Sequence, residues 1–417
     1  MKIKIVGINY FPEVTGIAPY TTGMAEGLAA FGHEVSVVTG LPHYPEWRIY
    51  DGYASRRIYR ETLNGVTIER LRHHVPEKPS PRGRILMEAS FAKAVLATNF
   101  DRSSVVITVS PSLLATAGIV AAARLRKLPV GVVVQDLYGK GVVETGAMGG
   151  KSAGMVNGLE ARVLRAASGV AVIHDRFLTA LDNAGVDPSA ATVVRNWTHV
   201  GDTNDLTPHD SVEVRRKYGW GADELVVVHA GNMGAKQGLE NVVAAARLVT
   251  DELPRGRVRF VLLGDGNQRR RLQECGQGIS ALQFIQPLPD NEFRAVLQTA
   301  DVLLVNEKPG VGDMAVPSKL TTYFMTGKPV VAATDSSSAA AGEVRAARAG
   351  VIVLPTDPHA LLEAVLSVGA DTAEAQRFGE AGRRFARDVL DRGSAICRYE
   401  NWCHELVAAT SRVVCDR

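Results

Sequence analysis

Short runs of β-branched and other apolar residues alternate with Ala- and Leu-rich helical stretches along almost the whole chain. The first half holds IKIVGIN, EVSVVT, VTIERL, VVITVS, VGVVVQD, VAVI and TVVR; the second half repeats the pattern with LVVVHAG, RFVLLGD, LQFIQP, VLLVNE, PVVAAT and GVIVLP. A strand that is apolar on both faces has to be covered on both, and the intervening helices are what cover it. The chain is therefore expected to be α/β, with parallel sheets. At 417 residues it is long for one core and comfortable for two. Two doubly wound domains are expected, 1–200 and 207–393, joined by the polar, turn-rich NWTHVGDTNDLTPHD near residues 197–210. The tail 394–417 has helical apolar spacing with no strand after it, and is expected to be a helix crossing back to the first domain. Ligands in such folds sit outside the carboxyl ends of the strands, which makes the cleft between the domains the expected site.

Composition narrows the function classes. The longest apolar run, LLATAGIVAAA from Leu113, is too short to span a bilayer. MKIKIVGINYF enters a strand at once, without the apolar core of a secretory signal, so a cytoplasmic location is expected. The four cysteines, Cys275, Cys397, Cys403 and Cys415, lack zinc or redox spacing. Residues 1–200 carry 22 Lys and Arg against 16 Asp and Glu, whereas the whole chain has a net charge of only +3. An uneven scatter of solvated side chains explains this as well as attraction to an anionic partner or membrane surface does. Lys78, Arg82 and Arg84 precede the apolar Ile85, Leu86, Met87 and Phe91, which fits either peripheral contact with the inner membrane or a surface loop before a core helix.

Several short motifs bear on chemistry. In GNMGAKQGLENVV, Gly231, Asn232, Gly234 and Lys236 occupy a strand-to-helix turn, since helical periodicity begins at Leu239. Such a turn aims backbone N–H groups and a lysine at one point, as phosphate sites do. A tight turn with a solvated lysine accounts for the same residues. GDGNQRRRL places Gly264 and Gly266 after another strand, where they permit close backbone approach, although the G-x-G-x-x-G fingerprint is missing. In AVPSKLTTYF, Pro317 and Ser318 open a short helix, with Ser318 placed as its N-cap and Lys319 in its first turn. A cation at that end opposes the helix dipole, a local conflict that an anion site would resolve; an exposed lysine beside a cap is the plainer account. In the first half, Gly16 ends the loop after the first strand and Asp136 stands at the carboxyl end of another. Asp136 is placed for chemistry or for capping its loop.

Together GINYFPEVTGIAPYT, GHEVSVVTGLPHYPEW, Gln135-Asp136, GNMGAKQGLENV, GDG and VPSKL resemble the retaining glycosyltransferases of family 4, which have the GT-B fold of two Rossmann-like domains facing a central cleft. More narrowly, they resemble the branch that builds bacterial exopolysaccharide, capsule and O-antigen units, including the colanic-acid fucosyltransferase type. The resemblance covers nearly the whole chain in family order. It implies a UDP- or GDP-sugar donor bound mainly by the second domain, and a lipid-linked oligosaccharide or natural-product acceptor. Lys236, Ser318 and Lys319 would face the donor diphosphate, and Gly16 would approach it from the first domain. Gly264, Gly266 and the segment Gln286 to Leu288 would lie near the nucleoside, and Asp136 near the reacting sugar or acceptor hydroxyl. Many family members carry two glutamates eight apart, where this sequence has Met314 and Thr322, with Asp313 a substitute for the first; the arginine common after the first turn glycine is Asn232 here. The chain has no Asp-x-Asp, so catalysis without metal and with no cofactor beyond the donor is expected, with Lys236 and Lys319 stabilising the leaving diphosphate. A nucleotide-sugar epimerase of the same fold and a non-catalytic nucleotide-sugar-binding scaffold remain as alternatives; a nucleic-acid partner is not expected.

Overall fold

The computed structural model describes residues 1–53, 55–78, 80–100, 103–137, 150–198, 208–252, 257–310 and 318–415. The chain divides into two compact units, one formed by 1–196 with 392–417 and the other by 197–391.

The first unit is built on Lys2–Val6 (β1), Glu34–Gly40 (β2), Ile58–Leu63 (β3), Val66–Leu71 (β4), Val105–Ser110 (β5), Val130–Val134 (β6), Gly169–Val172 (β7) and Thr192–Val193 (β8). They form one sheet in the order β3-β4-β2-β1-β5-β6-β7-β8. β5 and β6 read as near-continuous apolar runs because helices cover both faces, and both are buried at every position, whereas β1 alternates Lys2 and Lys4 with buried Ile3 and Ile5. The one departure from parallel pairing is β3, which runs antiparallel to β4 at the sheet edge. Sequence periodicity misses it because IYRETL is mostly exposed and polar. Its signal is the Asn64-Gly65 pair, whose φ values of 50° and 79° make the two-residue turn that suits a twisted hairpin.

The C-terminal helix Arg392–Cys415 belongs to this unit. It seats itself through missing side chains: a Cβ on Gly131 would lie 2.5 Å from the Trp402 ring, one on Gly169 2.7 Å from Leu406, and one on Gly27 2.6 Å from Ile396. Trp402, Leu406 and Ile396 are all buried. Each glycine leaves a shallow slot that an apolar side chain fills, and any larger residue there would lift the helix.

The second unit holds Leu225–Ala230 (β9), Val258–Leu263 (β10), Leu282–Ile285 (β11), Val302–Asn306 (β12), Val330–Ala333 (β13) and Gly350–Val353 (β14). All pairings are parallel, in the order β11-β10-β9-β12-β13-β14. Its core lies in two layers, with Val226, Val228, Tyr323 and Phe324 on one side of the sheet and Val227, Phe260, Leu262 and Val365 on the other. The sheet reverses its winding between β9 and β12, so the chains leaving these two strands diverge and open a crevice at their carboxyl ends.

Candidate active site

The crevice of the second unit is shaped by two glycine loops laced together. Leaving β9, the Gly231 N–H donates to the Leu263 carbonyl at 2.8 Å and the Met233 N–H donates to the Asp265 carbonyl at 2.7 Å. Gly264 has φ +133°, and a Cβ there would fall 2.0 Å from the Gly231 carbonyl oxygen. A Cβ on Gly266 would lie 2.6 Å from the Asn232 side-chain oxygen and from the Met233 nitrogen. Gly231, Asn232, Gly264 and Gly266 therefore form one continuous backbone surface. Arg269, buried beneath it, donates to the Gly264 and Ile285 carbonyls and fixes the second loop from below.

Beside this surface stands Lys319, in the first turn of the helix Ser318–Thr326. A Cβ on Gly231 would be 4.0 Å from its Nζ. Lys319 Nζ lies 3.2 Å from Nε2 of His229, which is fully buried within β9. Burial pulls the Lys319 ammonium down to about 8, with Glu307, just past β12, pulling the other way. Burial likewise raises the Glu307 carboxyl, against a 2.5 Å hydrogen bond donated by the Thr334 hydroxyl and the field of Lys319. An amine held this way is poorly solvated and gains most from an anion placed against it.

Lys236 lies in a single 3-10 turn, Ala235–Gln237, between β9 and the helix Glu240–Glu252. Its carbonyl accepts from the Lys308 N–H at 2.7 Å, and the Asn306 side-chain amide donates to the Gln237 and Gly238 carbonyls at 2.7 and 3.0 Å. The turn is thus tied to the end of β12 while the Lys236 side chain stays exposed.

In the first unit, Glu13 is buried and its Oε1 accepts from the backbone N–H groups of His43 and Tyr44 at 2.7 and 2.8 Å; Oε2 accepts from the Asn9 amide at 2.8 Å. This carboxylate ties the loop after β1 to the loop after β2. The Tyr44 ring lies against Gly16, whose Cβ would be 3.3 Å from it. Burial raises the Tyr44 phenol, Arg84 opposes the shift, and Glu13 and Asp136 add to it. Gly16, Tyr44, Arg84 and Asp136 are therefore electrostatic and steric neighbours. Gln135, beside Asp136, is buried and accepts from the Asn196 amide at 2.9 Å.

Residues 15–197 match the glycosyl transferase 4-like domain and residues 224–371 the glycosyl transferases group 1 domain. The chain is a glycosyltransferase with the GT-B fold. This glycosyltransferase is 29% identical over 412 residues to WcaI of Escherichia coli (strain K12), a protein named for colanic acid biosynthesis, covering 96% of this chain and 99% of WcaI. Among solved structures it resembles sucrose-phosphate synthase from Thermosynechococcus elongatus, with a TM-score of 0.71 at 20% identity over 98% of this chain and 99% of that one. It also resembles Anabaena HepE in complex with UDP-glucose, with a TM-score of 0.69 at 16% identity over 98% and 100%.

Within the glycosyltransferase, the expected donor-side residues Gly231, Asn232, Gly264, Gly266 and Lys319 come together around the ends of β9 and β10, and Lys236 sits on the same post-strand loop. Gly16 and Asp136 share a neighbourhood in the first unit. Leu288 is partly buried against the core of the second unit, in a packing position. Ser318 is the first residue of its helix, one position later than the cap expected, a shift within the ordinary uncertainty of helix ends. Asp313, Met314 and Pro317 lie outside the described residues, as does most of the expected linker, and the Ser318 side chain is likewise outside them. The glycosyltransferase also holds three site-forming residues that sequence reasoning passed over: Glu13, His229 and Glu307. His229 was visible as the one polar residue in LVVVHA, and Glu307 stands after its strand as Asp136 does.

Proposed function

We propose that this glycosyltransferase moves a sugar, with retention at the anomeric carbon, from a UDP- or GDP-sugar to a hydroxyl of a lipid-linked oligosaccharide. Lys319 carries the assignment: a half-buried ammonium beside the glycine loops at the carboxyl ends of β9 and β12, where a diphosphate would relieve its desolvation. As the bond between the anomeric carbon and the phosphate oxygen lengthens, charge builds on the leaving diphosphate. Lys319, Lys236 and the N-termini of the helices Ser318–Thr326 and Glu240–Glu252 would stabilise that charge. The acceptor oxygen would bond to the same face of the anomeric carbon while its proton passes to the departing phosphate oxygen. Lysines and helix termini supply the positive charge in this scheme, consistent with a chain that has no Asp-x-Asp.

Acceptor recognition is assigned to the first unit, with Asp136 and Tyr44 nearest the acceptor hydroxyl. A lipid-linked acceptor is supported by the helix Pro81–Leu96, whose first turns carry Arg82 and Arg84 beside Ile85 and Leu86, the last two 40% and 54% exposed. No helix among the described residues is long and apolar enough to cross a membrane, so contact with lipid would be peripheral. The WcaI relationship supports a polysaccharide-building role, and the HepE complex with UDP-glucose supports the donor class.

A thermal-shift panel of UDP-, GDP-, dTDP- and ADP-sugars without added metal tests the donor site, because a ligand that prefers the native state raises the melting temperature. Product analysis by mass spectrometry with a lipid-linked glycan then tests transfer. A shift with sugar transferred supports the proposal; donor epimerisation with no transfer would replace it with the epimerase reading, and no shift with any donor would remove the donor site.

A further inference from the structure

In the first unit, His33 lies in the turn just before β2, and Glu400 and His404 lie on the C-terminal helix. The metal-binding atoms of these three side chains all lie within 4.8 Å of one another. None of the three belongs to the candidate active site. Residues four apart on a helix share a face, so Glu400 and His404 project together toward His33. The His33 side chain is 8% exposed, and its Nε2 lies 3.1 Å from Glu400 Oε1. Its Nδ1 lies 3.1 Å from the Met1 ammonium, which can only donate, so Nε2 carries the ring proton toward Glu400; a metal ion on Nε2 would release that proton, with Nδ1 taking one from Met1. The His33 and His404 rings stand edge to face with centroids 6.0 Å apart.

We infer that His33, Glu400 and His404 bind one divalent transition-metal ion, zinc by ligand chemistry, which fastens the C-terminal helix to the turn before β2. In a tetrahedral zinc site with bonds of about 2.0–2.1 Å, ligand atoms stand roughly 3.3 Å apart. The His33–Glu400 pair already has nearly that spacing. His404 is exposed and can rotate inward to complete it, leaving the fourth position to water. An ordinary hydrogen-bonded pair needs only His33 and Glu400; the convergence of a second imidazole is what a metal site adds. Two imidazoles and one carboxylate favour zinc over the oxygen-seeking magnesium and calcium. The helix is preset for this role, since Ile396, Trp402 and Leu406 in their glycine slots fix the backbone on either side of Glu400 and His404.

The test uses the full-length protein stripped with chelator and titrated with Zn2+ by calorimetry, with Co2+ absorption as a geometric probe. His404→Ala and Glu400→Gln change partly exposed groups on one helix face, and Cys397→Ser removes the exposed thiol of the same helix. We expect one zinc per chain, visible cobalt bands of a tetrahedral site, affinity at least about tenfold weaker in His404→Ala and Glu400→Gln, and unchanged binding in Cys397→Ser. A zinc-induced rise in melting temperature should likewise vanish in His404→Ala. Absence of binding, equal binding in the His404 and Glu400 variants, or loss of binding in Cys397→Ser would each overturn the site.

Discussion

The Nζ of Lys319 and the Nε2 of His229 lie 3.2 Å apart, and the other ring nitrogen of His229 lies 3.2 Å from the Leu304 carbonyl oxygen. An ammonium can only donate and a carbonyl can only accept. His229 must therefore carry its proton on Nδ1 and offer a lone pair to Lys319 from Nε2. Burial, with the neighbouring Lys319 adding, holds the imidazole well below its ordinary 6.5, so it stays neutral through the physiological range. The histidine thus aims the lysine without competing with it for an anion.

Lys319 should make nucleotide binding pH-dependent. Its folded value of about 8 lies below the ordinary 10.5, so between these values the folded amine is neutral while the unfolded one still holds its proton. The unfolded state then binds more protons, and the Lys319 contribution to stability rises with pH across that window. Binding of a diphosphate runs the opposite way: it needs the ammonium and should weaken as pH rises through about 8, with proton uptake near that pH. Calorimetry of the donor nucleotide in buffers of different ionisation enthalpy would detect the uptake. Lys319→Ala should abolish it and lower turnover by about 10²–10³-fold with the circular dichroism spectrum unchanged.

Substitutions at His229 separate aiming from packing. His229→Phe removes the acceptor and leaves a half-buried ammonium with one partner fewer, which should cost about 1–3 kcal/mol in urea unfolding and move the alkaline limb of kcat/KM to lower pH. His229→Gln keeps an acceptor and should retain the limb near its original position. Identical pH profiles for the two variants would refute the aiming role.

Gly264→Ala should be among the most damaging small substitutions in the second unit. The added methyl would meet the Gly231 carbonyl at 2.0 Å on a backbone already at φ +133°, so both loops must move. A loss of about 3 kcal/mol or more is expected in chemical denaturation, together with loss of the nucleotide-induced thermal shift.

Glu13→Gln probes the first unit. The amide keeps one acceptor oxygen but loses the charge that holds the His43 and Tyr44 N–H groups. A stability loss of about 1–3 kcal/mol is expected. If the first unit serves the acceptor, KM for acceptor should rise while the donor-induced thermal shift stays at its wild-type size.

Ile85→Glu with Leu86→Glu should weaken sedimentation with anionic phospholipid vesicles, since the pair is exposed and flanked by Arg82 and Arg84. Activity on a water-soluble acceptor analogue should be unaffected. Vesicle binding equal to wild type would remove the helix Pro81–Leu96 from any membrane contact.

The parallel strands were legible because burial on both faces demands apolar residues at every position, as in VVITVS and VGVVV. The edge strand β3 was not, since a strand facing water carries no such demand and only its Asn-Gly turn marks it. Lys319 announced itself through a local conflict, a cation at the wrong end of a helix. His229 gave a fainter signal because its meaning comes from a partner ninety residues later, and Glu13 because two of the groups it accepts from are backbone N–H groups thirty and more residues away. Short-range sequence pattern exposes conflicts within an element; it does not show pairings that the fold creates between elements.

The seating of Trp402, Leu406 and Ile396 on Gly131, Gly169 and Gly27 has a consequence for biosynthesis. The polypeptide builds most of the first unit, then the whole of the second, and only then supplies the helix that fills those slots. On the ribosome, an apolar strip on the first unit must wait uncovered while nearly two hundred further residues are translated. Nascent chains halted before residue 392 should therefore bind chaperones through the first unit even after the second has folded.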